Sequence, residues 1–215
     1  MYLNRSVQYE KAEDGVKKVL NFSVQKVIET VMGRPRKFSR EGVLQKALPV
    51  FWRYGFARTT LPHLEQATGV NKSGLYAEFE SKEALFLACL RHYLGTRTSG
   101  ALLTAEPLGW GNIERFLEEA PSCAFDQRGC FFVNSMRELD GLPAEARKVI
   151  ADGGAKLNQL LRVNVVSEKP KMDVNSMCEL ISAFFSGICI EANLNPDRKR
   201  ARRKIRDFMQ MLRAA

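Results

Sequence analysis

The stretch from Leu61 to Phe86, LPHLEQATGVNKSGLYAEFESKEALF, constrains this chain more than any other. Leu61, Leu64 and Ala67 fall at helical spacing, so Leu61 to Thr68 can bury one side. Pro62 sits in the first turn, where a missing N–H costs nothing. Gly69 suits the left-handed residue that ends a helix. Val70 then points back to a core, and Asn71 can cap a second helix from Lys72 to Phe79. Ser81 caps a third, with Glu83 in its first turn. Helix, short glycine turn, helix is the helix-turn-helix pattern, whose second helix can enter the major groove of DNA.

The second helix has the residues for that task. Asn71, Lys72, Ser73 and Gly74 are small or polar at its N-terminal end, where N–H groups can meet phosphate and base edges. Leu75 and Phe79, four apart, face inward, and Tyr76 lies opposite with its hydroxyl open to a phosphate. An ordinary αα-hairpin with a polar outer face has the same pattern.

The longer segment from Gly33 to Phe86 resembles the N-terminal domain of the TetR family of transcriptional repressors. The matching pieces are Gly33-Arg34-Pro35-Arg36, Phe51 with Tyr54-Gly55-Phe56, and Thr59-Thr60. They continue through Ala67-Thr68-Gly69-Val70, Leu75-Tyr76-Ala77-Glu78-Phe79 and Ser81-Lys82-Glu83-Ala84-Leu85-Phe86. Weaker echoes follow at Gly129-Cys130-Phe131-Phe132-Val133-Asn134 and Phe185-Ser186-Gly187. The resemblance implies an all-α protein. An N-terminal three-helix helix-turn-helix DNA-binding domain would span residues 33–95, and a helical ligand-binding and dimerisation domain residues 96–215. It also implies that Thr60 caps the motif and touches a phosphate, and that Lys82 meets phosphate from the third helix.

Charge is distributed accordingly. The chain carries a formal +9, which suits a polyanionic partner. Residues 33–95 hold ten Lys/Arg against five Asp/Glu, whereas 96–195 hold ten against thirteen. Five cysteines at irregular spacing, no secretory signal and no apolar run long enough to span a bilayer point to a soluble protein of the reducing cytoplasm, without a membrane partner.

Residues 1–32 keep helical spacing of apolar positions from Val16 to Val31. Relatives of the family begin near Met32, so the upstream segment is expected to be a dispensable extension or an artefact of the assigned start. A membrane-surface helix is the alternative, but the segment lacks an anchoring Trp or Leu-rich face. Arg34, Arg36 and Lys37 form a basic arm that can reach a minor groove or the backbone, or remain a solvated tail. Ser39 is expected to cap the first helix of the domain, whose buried stripe is Val43, Leu44, Ala47, Leu48, Phe51 and Trp52. Pro49 predicts a kink there, and Gly55 the helix end. His63 is expected to face outward, near the DNA backbone or inert.

Beyond the third helix, glycines and prolines from Gly95 to Gly111 predict an irregular connection. Helices follow from Ile113 to about Phe125, Val133 to Leu139 and Ala144 to about Val166, the last weakened by Gly153-Gly154. That glycine pair predicts close packing, room for a ligand, or a simple break. Trp110, Phe116, Phe125, Phe131, Phe132 and Met136 are candidates to line an apolar pocket, though any helical core needs such residues. Cys123 and Cys130, with Arg128 nearby, are candidate reactive thiols. Their spacing makes no strong metal signature, so no metal or other cofactor is expected, and burial as structural cysteines is the ordinary reading.

Val174 to Asn193 is apolar on more than one side, and Asp197 caps a final helix. By the resemblance, these two helices build a two-fold homodimer through Ile181, Phe184, Phe185, Ile188, Ile205, Phe208, Met209 and Leu212. The basic run Arg198 to Lys204 spreads around its helix and reads as a solvated face. The leading expectation is a repressor that binds a palindromic double-stranded DNA operator and is released by a small-molecule inducer. Thiol or metal sensing through Cys123 and Cys130, and an interaction adaptor without DNA binding, are alternatives. An enzyme is not expected: His63 and His92 are the only histidines, and neither stands in a nucleophile, metal or phosphate-loop motif.

Overall fold

Val43, Leu44, Ala47, Leu48, Phe51 and Trp52 recur at intervals of three and four, and all six are buried along one side of α1 (Arg40–Arg58). That stripe organises the computed structural model, which describes residues 38–119, 129–194 and 197–215. Residues 1–39 make a unit of their own, of which only Phe38 and Ser39 are described; residues 40–215 make the other. The N-terminal extension and the basic arm Arg34, Arg36 and Lys37 lie outside the described residues.

Helices α2 (Leu61–Thr68), α3 (Lys72–Phe79) and α4 (Lys82–Thr96) follow α1. Phe51 of α1 meets Phe86 of α4 edge-on at 5.2 Å, while Leu64, Leu75 and Phe79 close the remaining side of this core. The break in α1 falls at Gly55, where the helix was expected to end, with φ 75° and ψ 174°, while the backbone keeps helical angles at Pro49, where a kink was expected. Proline's fixed φ is already helical, so Pro49 fits the helix interior at the loss of one hydrogen bond. Gly55 adopts angles open essentially to glycine alone.

The body contains α5 (Ser99–Leu103), α6 (Trp110–Glu119), α7 (Phe131–Met136), a 3₁₀ turn at Leu139–Gly141, α8 (Ala144–Ser167), α9 (Val174–Leu194) and α10 (Arg198–Ala214). Helix α5 was not expected; it occupies part of the stretch read as irregular. Helix α8 runs unbroken through Gly153-Gly154. A side-chain carbon on Gly153 would lie 3.0 Å from the Phe132 ring, so this glycine serves close packing, whereas Gly154 faces open space. Two fully buried asparagines tie α6 to α8: Asn112 donates to Asn164 at 2.9 Å, and Asn164 donates to the Leu103 carbonyl at 2.8 Å.

Helix α9 corrects one expectation. With 21 residues it is long and apolar enough, by length and composition, to cross a membrane. Here it packs into the body through Met177, Cys178, Ile181, Phe185, Ile188, Cys189 and Ala192. Asp197 caps α10 as expected, accepting from the Lys199 and Arg200 N–H groups.

Candidate nucleic-acid interface and body pocket

The turn between α2 and α3 is fixed on every side. Gly69 takes φ 71° and its N–H returns to the Glu65 carbonyl, ending α2. The Thr68 hydroxyl donates to Leu64 O at 2.7 Å and accepts from the Val70 N–H at 3.2 Å, carrying the chain across the turn. Asn71 caps α3 by accepting from the Gly74 N–H at 2.9 Å, and the Glu65 carboxylate accepts the Lys72 N–H. Arg40 pairs with Glu78 at 3.1 Å and lies over the Phe79 ring, holding the far end of α3 to α1. The result is a braced α3 whose N-terminal end is open. Asn71, Lys72 and Ser73 are exposed, Gly74 and Tyr76 half-buried, and the Lys72 ammonium lies 5.9 Å from the Tyr76 ring centre.

Thr60 occupies the capping position of α2 and is exposed beside this surface. His63 does more than the sequence suggested. Its ring stacks on Tyr54 at 4.8 Å, and Nδ1 accepts the Thr60 N–H at 3.4 Å, so it fastens the start of α2 to α1. Lys82 sits at the N-terminal end of α4, but its ammonium donates to the Phe56 and Thr59 carbonyls, both at 3.1 Å, and packs over the Phe56 ring. Two of its three donors therefore brace the link between α1 and α2.

Helix α4 leads from this surface to a cavity of about 460 Å³ in the body. The candidates Phe116, Cys130 and Phe132 line it; Arg97, Lys156 and Leu160 also line it, and nothing in their local pattern marked them. Phe131 instead points toward α1 and α4, with ring centres 5.8 Å from both Trp52 and Phe86 and 5.6 Å from Tyr93. Trp110 opens α6 away from the cavity walls, and Met136 is exposed. Cys123 and Phe125 lie outside the described residues.

Tyr93 joins the two regions. Its ring meets Trp52 edge-on at 5.1 Å and its hydroxyl lies 3.2 Å from Cys130 Sγ. Hydrogen bonding from Cys189 pulls the Cys130 thiol down to about 6 against the opposing effect of burial, helped by Tyr93, the Val133 N–H and the Arg97 charge. Burial pushes the Tyr93 phenol up, and its hydrogen bond to Cys130 together with burial pushes the Cys189 thiol up, so both remain donors. Cys89 is raised by burial alone and is an inert core thiol. Among the described residues no group of three His, Cys, Asp or Glu is placed to hold a metal.

The dimer candidates divide. Ile181, Phe185, Ile188, Ile205, Met209 and Leu212 are buried within the chain's own core and do not reach its surface. Phe184 and Phe208 are half-buried and stack on each other at 3.8 Å. Around them Leu180 is 48% exposed, Leu194 81% and Met211 70%, forming an apolar stripe along α9 and α10.

A braced helix-turn-helix with an open polar helix end, set on a helical body with a cavity, is the architecture of a DNA-binding transcriptional regulator. Residues 43–89 match the model for bacterial regulatory proteins of the tetR family. The chain is 27% identical over 172 residues to the HTH-type transcriptional repressor ComR of Escherichia coli K12, covering 74% of this chain and 82% of ComR. It is 33% identical over 110 residues to the repressor BdcR of the same organism, covering 50% and 55%. In structure it superposes on a cysteine mutant of the TetR family regulator CifR bound to 26-base-pair operator DNA, with a TM-score of 0.74 at 26% identity over 83% of this chain and 98% of that one. Reduced NemR of Escherichia coli shares the fold, with a TM-score of 0.65 at 21% identity over 78% and 95%. The chain is thus similar along most of its length to TetR family transcriptional regulators, and its residues 43–89 carry that family's N-terminal region.

Proposed function

We infer that the protein is a cytoplasmic, homodimeric repressor that holds a near-palindromic operator until a small molecule enters the body. The observation carrying this reading is the open N-terminal end of α3, braced from below and joined by α4 to the 460 Å³ cavity. Two copies would place α3 in successive major grooves about 34–36 Å apart. Lys72 and Tyr76 would meet phosphate, with Asn71, Ser73 and Gly74 at base edges. The stripe of Leu180, Phe184, Leu194, Phe208 and Met211 would pair the protomers. A ligand favouring another α4 position would misalign the heads and weaken binding by its preference for that state.

Selection of bound fragments from the source genome tests this directly. Recovery of paired half-sites one helical turn apart supports it; random recovery at low salt refutes it and favours an adaptor without DNA binding. Cys130 at the cavity wall favours a second reading, in which the released state is reached through thiol chemistry.

A further inference from the structure

The turn before α7 holds two thiols together. Gly129 has φ 72°, and a side-chain carbon there would lie 2.5 Å from the Cys189 carbonyl oxygen, so this backbone rests directly on α9. Asn193 donates to Asn134 at 2.9 Å and pins the same junction. Cys130 and Cys189 consequently hydrogen-bond to each other. The two are placed unequally. Cys130 forms part of the cavity wall, while Cys189 is fully buried and lies outside that wall.

We propose that Cys130 and Cys189 form a reversible disulfide when an apolar organic hydroperoxide enters the body cavity, with Cys130 attacking and Cys189 resolving. This rests on the thiol-responsive reading of the body. The Cys130 sulfur attacks the outer oxygen of the O–O bond, which breaks to give a sulfenic acid and, after protonation, an alcohol. The Cys189 sulfur then attacks the Cys130 sulfur, the S–S bond forms, and the sulfenic oxygen leaves as water. Two thiol hydrogens and one hydroperoxide thus become a disulfide, an alcohol and water, the thiols supplying both electrons. Phe116, Phe132, Leu157, Leu160 and Phe185 give the cavity an apolar lining suited to an organic hydroperoxide. Bond formation takes from Tyr93 its hydroxyl contact with Cys130, and the Tyr93 ring touches Trp52 of α1 and Phe131 of α7. The change therefore reaches the helix that carries the DNA-binding head.

The test treats reduced full-length protein with one equivalent of cumene hydroperoxide, and separately of hydrogen peroxide. Free thiols are blocked and peptides mapped without reductant. The expected result is a Cys130–Cys189 crosslink, reversed by dithiothreitol and formed faster with cumene hydroperoxide. Cys189→Ser should stop at a sulfenic acid on Cys130 that dimedone traps, and Cys130→Ser should give neither product. Thiols left unmodified, or Cys130 crosslinked to Cys123 instead, would overturn the pairing; equal rates with both oxidants would overturn the choice of an organic hydroperoxide. Operator retention is measured in parallel. A crosslink forming in protein that never binds operator would support the disulfide and refute the regulator reading.

Discussion

The Glu138 carboxylate lies over Gly55 and accepts the Ala57 N–H at 3.0 Å, so a residue of the body closes the break at the end of α1. A side-chain carbon at Gly55 would sit 2.0 Å from Glu138 Oε1. The same device recurs at Gly109, where Glu168 accepts the Trp110 N–H at 2.7 Å and a side chain would meet its carboxylate. Gly55→Ala combines a glycine-only backbone conformation with that collision. We expect it to cost about 1–3 kcal/mol in urea unfolding, whereas Glu138→Gln, with an oxygen retained, should cost less.

Lys72 and Tyr76 are expected to act on DNA and not on the fold. Lys72→Ala with Tyr76→Ala should leave thermal unfolding nearly unchanged and weaken operator binding. Each lost phosphate contact should lower the slope of log affinity against log salt by about 1. Titration in a salt series reads both, and an unchanged slope would remove these residues from the interface.

Lys82 separates two roles. If its ammonium only met phosphate, Lys82→Ala would be silent without DNA. Because it holds the Phe56 and Thr59 carbonyls, we expect a loss of about 1 kcal/mol in the free protein. Denaturant melts without operator decide between them.

The apolar stripe predicts where a charge separates protomers without unfolding them. Phe184→Glu should give a folded monomer by sedimentation, with operator affinity much reduced. Ile181→Glu, at a fully buried position, should instead unfold the chain by several kcal/mol, to the order of a buried unpaired charge.

Cys130 should react as a thiolate at unusually low pH. The lowered pKa of about 6 means that the reactive form grows as pH rises through that value and is nearly complete at neutrality. Alkylation by iodoacetamide, followed by peptide mass, should reach half its maximal rate near there. Tyr93→Phe removes one hydrogen bond to sulfur and should move the midpoint upward. A rate still rising steeply at pH 8 would contradict this environment.

The helix-turn-helix was legible almost residue by residue. Its signals are local: Gly69 for a left-handed end, Asn71 and Ser81 for caps, and Leu64, Leu75 and Phe79 for a face. Each depends on neighbours within a few positions, and the bounds of α2 and α3 follow from them. The function of His63 was not legible, because its partners Tyr54 and Thr60 are brought to it by the turn after Gly55.

What the sequence by itself determined is the helices other than α5, the charge of the reading head and the family likeness of the segment from Gly33 to Phe86. The tertiary structure alone decided which body residues meet. Phe131 and Phe132 are adjacent in the chain, yet one packs toward α1 and the other lines the cavity. Cys130 meets Cys189 of α9, far along the chain, because Gly129 lets two backbones touch. Helical periodicity states that a side is buried but not against what. Contacts between segments far apart in sequence depend on the packing of whole helices, which no local pattern records.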